Sequence, residues 1–102
     1  MTTTDRLKAM AEFMGLEIFY DGQRNMWYND NVNLKLQRFT YNTSFDSLIE
    51  VWARVHDGIE NLMVVPKIDY YDNFNYFVST NDCAKAFEVC SDAIEYLNKQ
   101  NN

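Results

Sequence analysis

One proline, three glycines, two cysteines and a single histidine in 102 residues leave little material for several common chemistries. So few breakers imply dense regular structure joined by Asn- and Asp-rich turns. One His with two Cys gives no zinc or iron ligand geometry. Asp69 and Asp72 do not continue into the spacing of a calcium loop, and no glycine-rich loop is there to cradle a phosphate. No run of eighteen apolar residues occurs, and Met1–Gly15 reads as an amphipathic segment rather than a signal peptide. Bases are scarce too: nine Lys and Arg stand against fifteen Asp and Glu, for a net charge of −6. That balance opposes contact with a bare phosphate backbone, which needs clustered Lys and Arg. The expectation is a protein with no cofactor, no metal, no direct nucleic-acid contact and no membrane span.

What the chain does have is apolar bulk. Hydrophobic residues make up 47% and aromatics 16%, which excludes a disordered tail. A chain this long buries roughly two-thirds of the surface its unfolded form exposes, so residues 1–102 are expected to form one domain. The acidity is uneven: residues 1–56 hold seven acids and six bases, residues 57–102 eight acids and three bases. A solvating role is the ordinary reading, and attraction to a basic partner surface the functional one. Cys83 and Cys90, inside one expected helix, lie about 10 Å apart at 1.5 Å per residue, beyond disulfide reach. Buried thiols in a reducing compartment, the cytoplasm, fit them.

Local patterns give an element order. Thr4 can cap a helix over Asp5–Met14, with Leu7, Met10, Ala11 and Met14 as its stripe and Gly15 as its terminator. Glu17–Tyr20 and Gln23–Tyr28 flank Asp21-Gly22, a hairpin signal. After a turn at Asn29–Asn31, Val32, Leu34 and Leu36 alternate with polar residues as a third strand, which bulges or ends near Arg38, where Phe39 and Tyr41 shift the parity. Thr43 and Ser44 compete to cap a second helix built on Phe45, Leu48, Ile49, Trp52, Val55 and Ile59, which Asp57-Gly58 is expected to loosen or end, leaving Ile59 just outside. Leu62–Val65 and Ile68–Tyr71 read as an edge strand interrupted by Pro66. Asp72-Asn73 turns the chain into a fifth strand, Phe74–Val78. Thr80 or Asn81 caps a last helix to about Lys99, with Ala84, Phe87, Cys90, Ile94 and Leu97 inward. The order α-β-β-β-α-β-β-α implies an α+β fold: a mainly antiparallel sheet of four to five strands sandwiched by three helices.

Three stretches resemble the phage ABA-sandwich domain family of small phage and prophage proteins. Ala11-Glu12-Phe13-Met14-Gly15 looks like the ending of that family's opening helix. Tyr41-Asn42-Thr43-Ser44-Phe45-Asp46-Ser47-Leu48-Ile49 is similar to the motif that leads into its middle helix. Ala93-Ile94-Glu95-Tyr96-Leu97 is similar to the end of its last helix. Where family members often carry a second Trp and a helix-opening Pro, this chain has Ser47 and Glu50. The resemblance implies a helix–sheet–helix sandwich of phage origin, in the host cytoplasm, and no particular activity.

No constellation of catalytic residues emerges. His56, beside Asp57 near a helix end, can serve as a general acid or base only with an oriented partner; an imidazolium there is also simply favourable. Tyr70, Tyr71, Phe74, Tyr76 and Phe77 crowd one expected hairpin on both parities, so either helices cover both faces or one aromatic face awaits a partner. Trp27 and Tyr28 pose the same choice. Glu88, Asp92 and Glu95 give either a solvated helix face or a mimic of nucleic-acid charge.

The expected function is therefore that of a non-enzymatic, phage-encoded accessory protein acting by protein–protein binding. Its most specific form is inhibition of a host defence system in the manner of anti-CRISPR proteins, the partner being a host protein such as a defence nuclease or its complex. Tyr70, Tyr71, Tyr76, Asp69, Asp72, Glu88 and Asp92 are the expected partner-binding residues. Two alternatives stand beside it. One is a self-associating structural homo-oligomer, a face-to-face dimer. The other is a small-molecule or nucleotide-sequestering protein, which needs Arg24, Arg38 and Arg54 to converge on one pocket.

Overall fold

The computed structural model describes residues 2–20, 26–30 and 35–100, with backbone alone for 26–30 and 35–38. Helix α1 (Thr3–Phe13) is followed by β1 (Ile18–Tyr20), β2 (Met26–Asp30) and β3 (Lys35–Arg38). Then come α2 (Phe45–Glu60), α3 (Tyr70–Ser79) and α4 (Cys83–Gln100). The expected sandwich is not what forms. Among the described residues helices dominate, and the sheet is a small antiparallel one of three strands, β1-β2-β3. The organising element is α4, on which α1, α2 and α3 all pack, so helix covers helix where the sequence reading placed helices on a sheet.

The first helix starts two residues earlier than expected. Thr2, not Thr4, is its N-cap: Thr2 Oγ1 accepts from the Asp5 backbone N–H (3.1 Å) and Asp5 Oδ2 accepts from the Thr2 N–H (3.2 Å). This reciprocal pair satisfies two backbone donors that the first turn leaves free, and holds the Asp5 carboxyl below its ordinary value. Gly15 ends the helix as expected, at φ +73°. Its N–H donates to the Glu12 carbonyl and that of Leu16 to the Ala11 carbonyl, the pairing of a left-handed helix stop.

The hairpin of β1 and β2 pairs Ile18 with Tyr28 and Tyr20 with Met26. Its expected Asp21-Gly22 turn lies outside the described residues, as do Val32 and Leu34. β2 runs through Asn29 and Asp30, part of the expected turn, and pairs with β3 from Trp27–Arg38 to Asp30–Lys35. Phe39 and Tyr41, just past β3, leave the sheet for the core, their rings 5.7 Å apart.

Helix α2 does not loosen at Asp57-Gly58. It runs to Glu60, and Ile59 is buried inside it. The glycine marks a close approach: a Cβ there would sit 2.9 Å from Leu97 Cδ1 on α4. Ser44 is the cap, accepting weakly from the Ser47 N–H (3.5 Å).

The largest correction concerns Leu62–Val78. Neither expected strand exists there. Residues 61–69 form a loop around Pro66, and α3 follows, opened by Asp69 Oδ1 accepting from the Asp72 N–H (3.0 Å). Tyr70, Phe74 and Phe77 recur at four- and three-residue spacing, a helical stripe. Tyr70 and Phe74 are buried and Phe77 packs against the core. Trp52 supplies the tertiary reason for helix, stacking on Phe74 with centroids 4.1 Å apart and planes 8° from parallel.

Nor do Thr80 or Asn81 cap the last helix. Asn81, at φ +57°, closes α3 instead, with its N–H on the Val78 carbonyl and the Asp82 N–H on Phe77. Asp82 then caps α4, its Oδ1 accepting from the Lys85 N–H (3.1 Å). The buried face of α4 is broader than expected: Ala86, Ser91 and Ala93 join Phe87, Cys90, Ile94 and Leu97, whereas Ala84 is exposed. Three neighbours need that width, and small residues let the helix axes approach. Cys90 is buried and Cys83 only half-buried, both as free thiols.

Candidate functional site

The loop between α2 and α3 carries an apolar run that the fold leaves in water. Met63 is fully exposed (102%), Val65 nearly so (87%), with Val64 at 64% and Ile68 at 55%. Scattered exposed hydrophobics are ordinary, but a contiguous group marks a contact surface. Pro66 explains why the run is not absorbed into a ladder: it has no N–H to donate and fixes its own φ. Unpaired with any strand among the described residues, the segment stands as an exposed ridge beside two hollows.

The first hollow has a volume of about 370 Å³ and is closed by Ile59 of α2 and by Asp69, Tyr70 and Tyr71 at the start of α3. The second, about 410 Å³, adjoins it and is lined by Val64, Tyr96 and Gln100 as well. Val65, Lys67, Ile68 and Tyr70 line both. The Tyr70 ring lies 5.8 Å from that of Tyr96. Burial, with Asp92 nearby, pushes its hydroxyl up from the ordinary value.

Beside the first hollow, α2 presents Trp52, His56 and Glu60 in one column, because residues four apart stack along a helix. The Tyr71 side chain lies along this column. Its ring stacks on His56 at 4.5 Å and meets Trp52 edge-on at 6.0 Å, and its hydroxyl donates to Glu60 Oε1 across 2.8 Å. Burial first, then the Glu60 bond, pushes that hydroxyl up to about 12. His56 therefore has a flat aromatic partner, the arrangement of a packing element. Among the described residues no group of three or more His, Cys, Asp or Glu is placed to hold a metal ion.

Acidic side chains ring this end of the molecule. Asp57, Glu60, Asp69 and Asp72 are all exposed, and among the described residues none of them is in an ion pair. A side-chain hydrogen bond and the like charge of Asp69 raise the Asp72 carboxyl. Among the described residues Lys67 is the one base that lines the hollow.

The seven residues expected to bind a partner are thus not equivalent. Tyr70, Tyr71, Asp69 and Asp72 gather at the hollows, although not on a hairpin. Tyr76 is exposed on α3, its ring 5.2 Å from Phe77. Asp92 pairs inside the molecule with Arg6 of α1 at 2.8 Å, and the same guanidinium donates to the Glu88 carbonyl at 3.2 Å. The Glu88 side chain faces Lys85 at 3.9 Å. Arg54 is exposed on α2, Arg24 lies outside the described residues, and only the backbone of Arg38 is described. Sequence reasoning missed the ridge itself. Its signal is an apolar run without alternation, split by a proline, a pattern that an edge strand shares.

No helix among the described residues is long and apolar enough to cross a membrane. No protein-family model, no curated protein and no solved structure matches the chain.

Proposed function

We propose that this protein acts by binding another protein through the Met63–Ile68 ridge and the hollow beside it. The observation that carries the reading is the exposure of four apolar side chains within six residues. Covering them removes apolar surface from water at about 25 cal/mol per Å², the main source of affinity in association. Tyr70 and Tyr71 line the hollow, each held by a further aromatic ring, Tyr96 and Trp52 respectively, so little side-chain order is lost on docking. No reacting group is required of any residue here.

The test is comparative capture. The chain and a Met63→Asp/Val65→Asp variant are immobilised and exposed to lysate of the source cells, with circular dichroism checking that both keep their helices. Both positions lie in a solvent-exposed loop, so the variant should fold. The expected result is a protein retained by the original chain and lost from the variant. Equal retention by both removes the ridge from the binding surface.

A further inference from the structure

From the charge around the ridge we infer that its partner presents an amphipathic, basic helix. This rests on the docking role proposed above and adds the chemistry of the docked segment. The hollow bounded by Val65, Ile68, Tyr70 and Tyr71 is a short apolar trough open to solvent on its outer side. Such a trough suits the apolar stripe of a helix, whose own backbone groups are already paired and whose affinity comes from side chains. The polar face of a seated helix would meet the rim.

The rim is acidic. Glu60 is fixed by the Tyr71 hydroxyl, and Asp57 acts on the same hydroxyl through its charge. Asp69 holds the α3 terminus, with Asp72 crowded against it. None of the four has an ion-pair partner among the described residues, whereas Asp92, Glu88 and Glu95 elsewhere each face an Arg or Lys. Unpaired like charges repel one another and are relieved by an incoming cation. Lys or Arg on the docking helix supplies that relief and speeds encounter. A second copy of the chain would bring its own acids to the same rim, and an anionic membrane would be repelled by it. Both are disfavoured for the same reason.

Three synthetic helical peptides of about fourteen residues test this. One has a Leu stripe and a Lys face, one the same stripe with a Glu face, and one a Lys face with Ala and Gln replacing Leu. Binding is read by fluorescence anisotropy of labelled peptide. The Leu–Lys peptide should bind, and more weakly as salt is raised. Its affinity should fall about tenfold on the Asp57→Asn/Glu60→Gln/Asp72→Asn variant, and further on Val65→Asp/Ile68→Asp. The other two peptides should bind weakly or not at all.

Equal binding of the Leu–Glu peptide, or no binding of the Leu–Lys peptide, overturns the basic-helix assignment while leaving apolar docking to the capture experiment. Undiminished binding of Leu–Lys to Val65→Asp/Ile68→Asp overturns both. Sedimentation with phosphatidylglycerol vesicles, or a dimer in light scattering that the peptide disperses, assigns the trough to a lipid surface or a second copy and overturns it as well.

Discussion

The Tyr71 hydroxyl donates to the Glu60 carboxylate across 2.8 Å, tying the first turn of α3 to the last turn of α2 over a nine-residue loop. The loop that carries the ridge is therefore clamped at its base. Tyr71→Phe removes the clamp and little else, since the ring can still stack on His56. The expected loss is about 1 kcal/mol in chemical denaturation. Glu60→Ala should cost a similar amount or less, and the double variant little more than either alone. Additive losses would show that the two groups do not act on each other.

Alkaline pH should weaken the fold in two stages. Burial pushes the Cys90 thiol from an ordinary 9.0 up to about 12, and burial with the Glu60 bond pushes the Tyr71 hydroxyl from 10.0 up to about 12. The folded state holds both protons more tightly than the unfolded chain. Their contribution is complete below pH 9 and is lost as pH rises from 9 towards 12. Denaturant midpoints should be level through pH 8 and fall above 9. Tyr71→Phe should reduce the part that begins near 10, to which Tyr70 also contributes, and Cys90→Ala, though less stable throughout, the part that begins near 9, to which Cys83 adds.

At Gly58 two effects of opposite sign meet. Alanine gains about 1 kcal/mol of helix propensity, but its Cβ falls 2.9 Å from Leu97 Cδ1, and displacing a buried leucine costs about the same or more. Gly58→Ala should therefore be neutral to destabilising, and Gly58→Val clearly destabilising. On a Leu97→Ala background, itself less stable by about 2–5 kcal/mol, Gly58→Ala should become stabilising. A reversal of sign in urea midpoints is the readout.

Asn81 sits at φ +57° between α3 and α4. Glycine tolerates that region without a Cβ penalty, and a β-branched residue least of all. Asn81→Gly should raise stability by about 0.5 kcal/mol, and Asn81→Val should lower it by about 1–2 kcal/mol. Thermal melts of the two variants should bracket the original chain.

Three helices and the first hairpin were legible because their signals are local. Leu7, Met10, Ala11 and Met14 space a stripe, Gly15 stops it, and Ser44 caps α2 within one turn of Leu48. Helix α3 was not legible in the same way. Tyr70, Tyr71, Phe74 and Phe77 belong to residue types at home in strands, and distant partners settle them as a helical face: α4, on which α3 packs, and Trp52, twenty-two positions before the Phe74 it stacks on. Gly58 likewise reads locally as a breaker and spatially as a contact. The ridge was the least visible feature. Exposure of Val64 and Val65 depends on what fails to cover them, and no neighbour in sequence encodes that. Asp92 had a partner in Arg6 that sequence separation hid.

The dominance of α4 has a consequence for synthesis. α1, α2 and α3 each precede it and each packs against it, so a nascent chain holds three apolar faces without their main cover until Cys83–Gln100 leaves the ribosome. Met10, Leu48 and Val55 lack that cover in the meantime. Folding is then held back to a late, all-at-once closure rather than proceeding helix by helix, and the interval before it is when chaperones and aggregation compete for the chain.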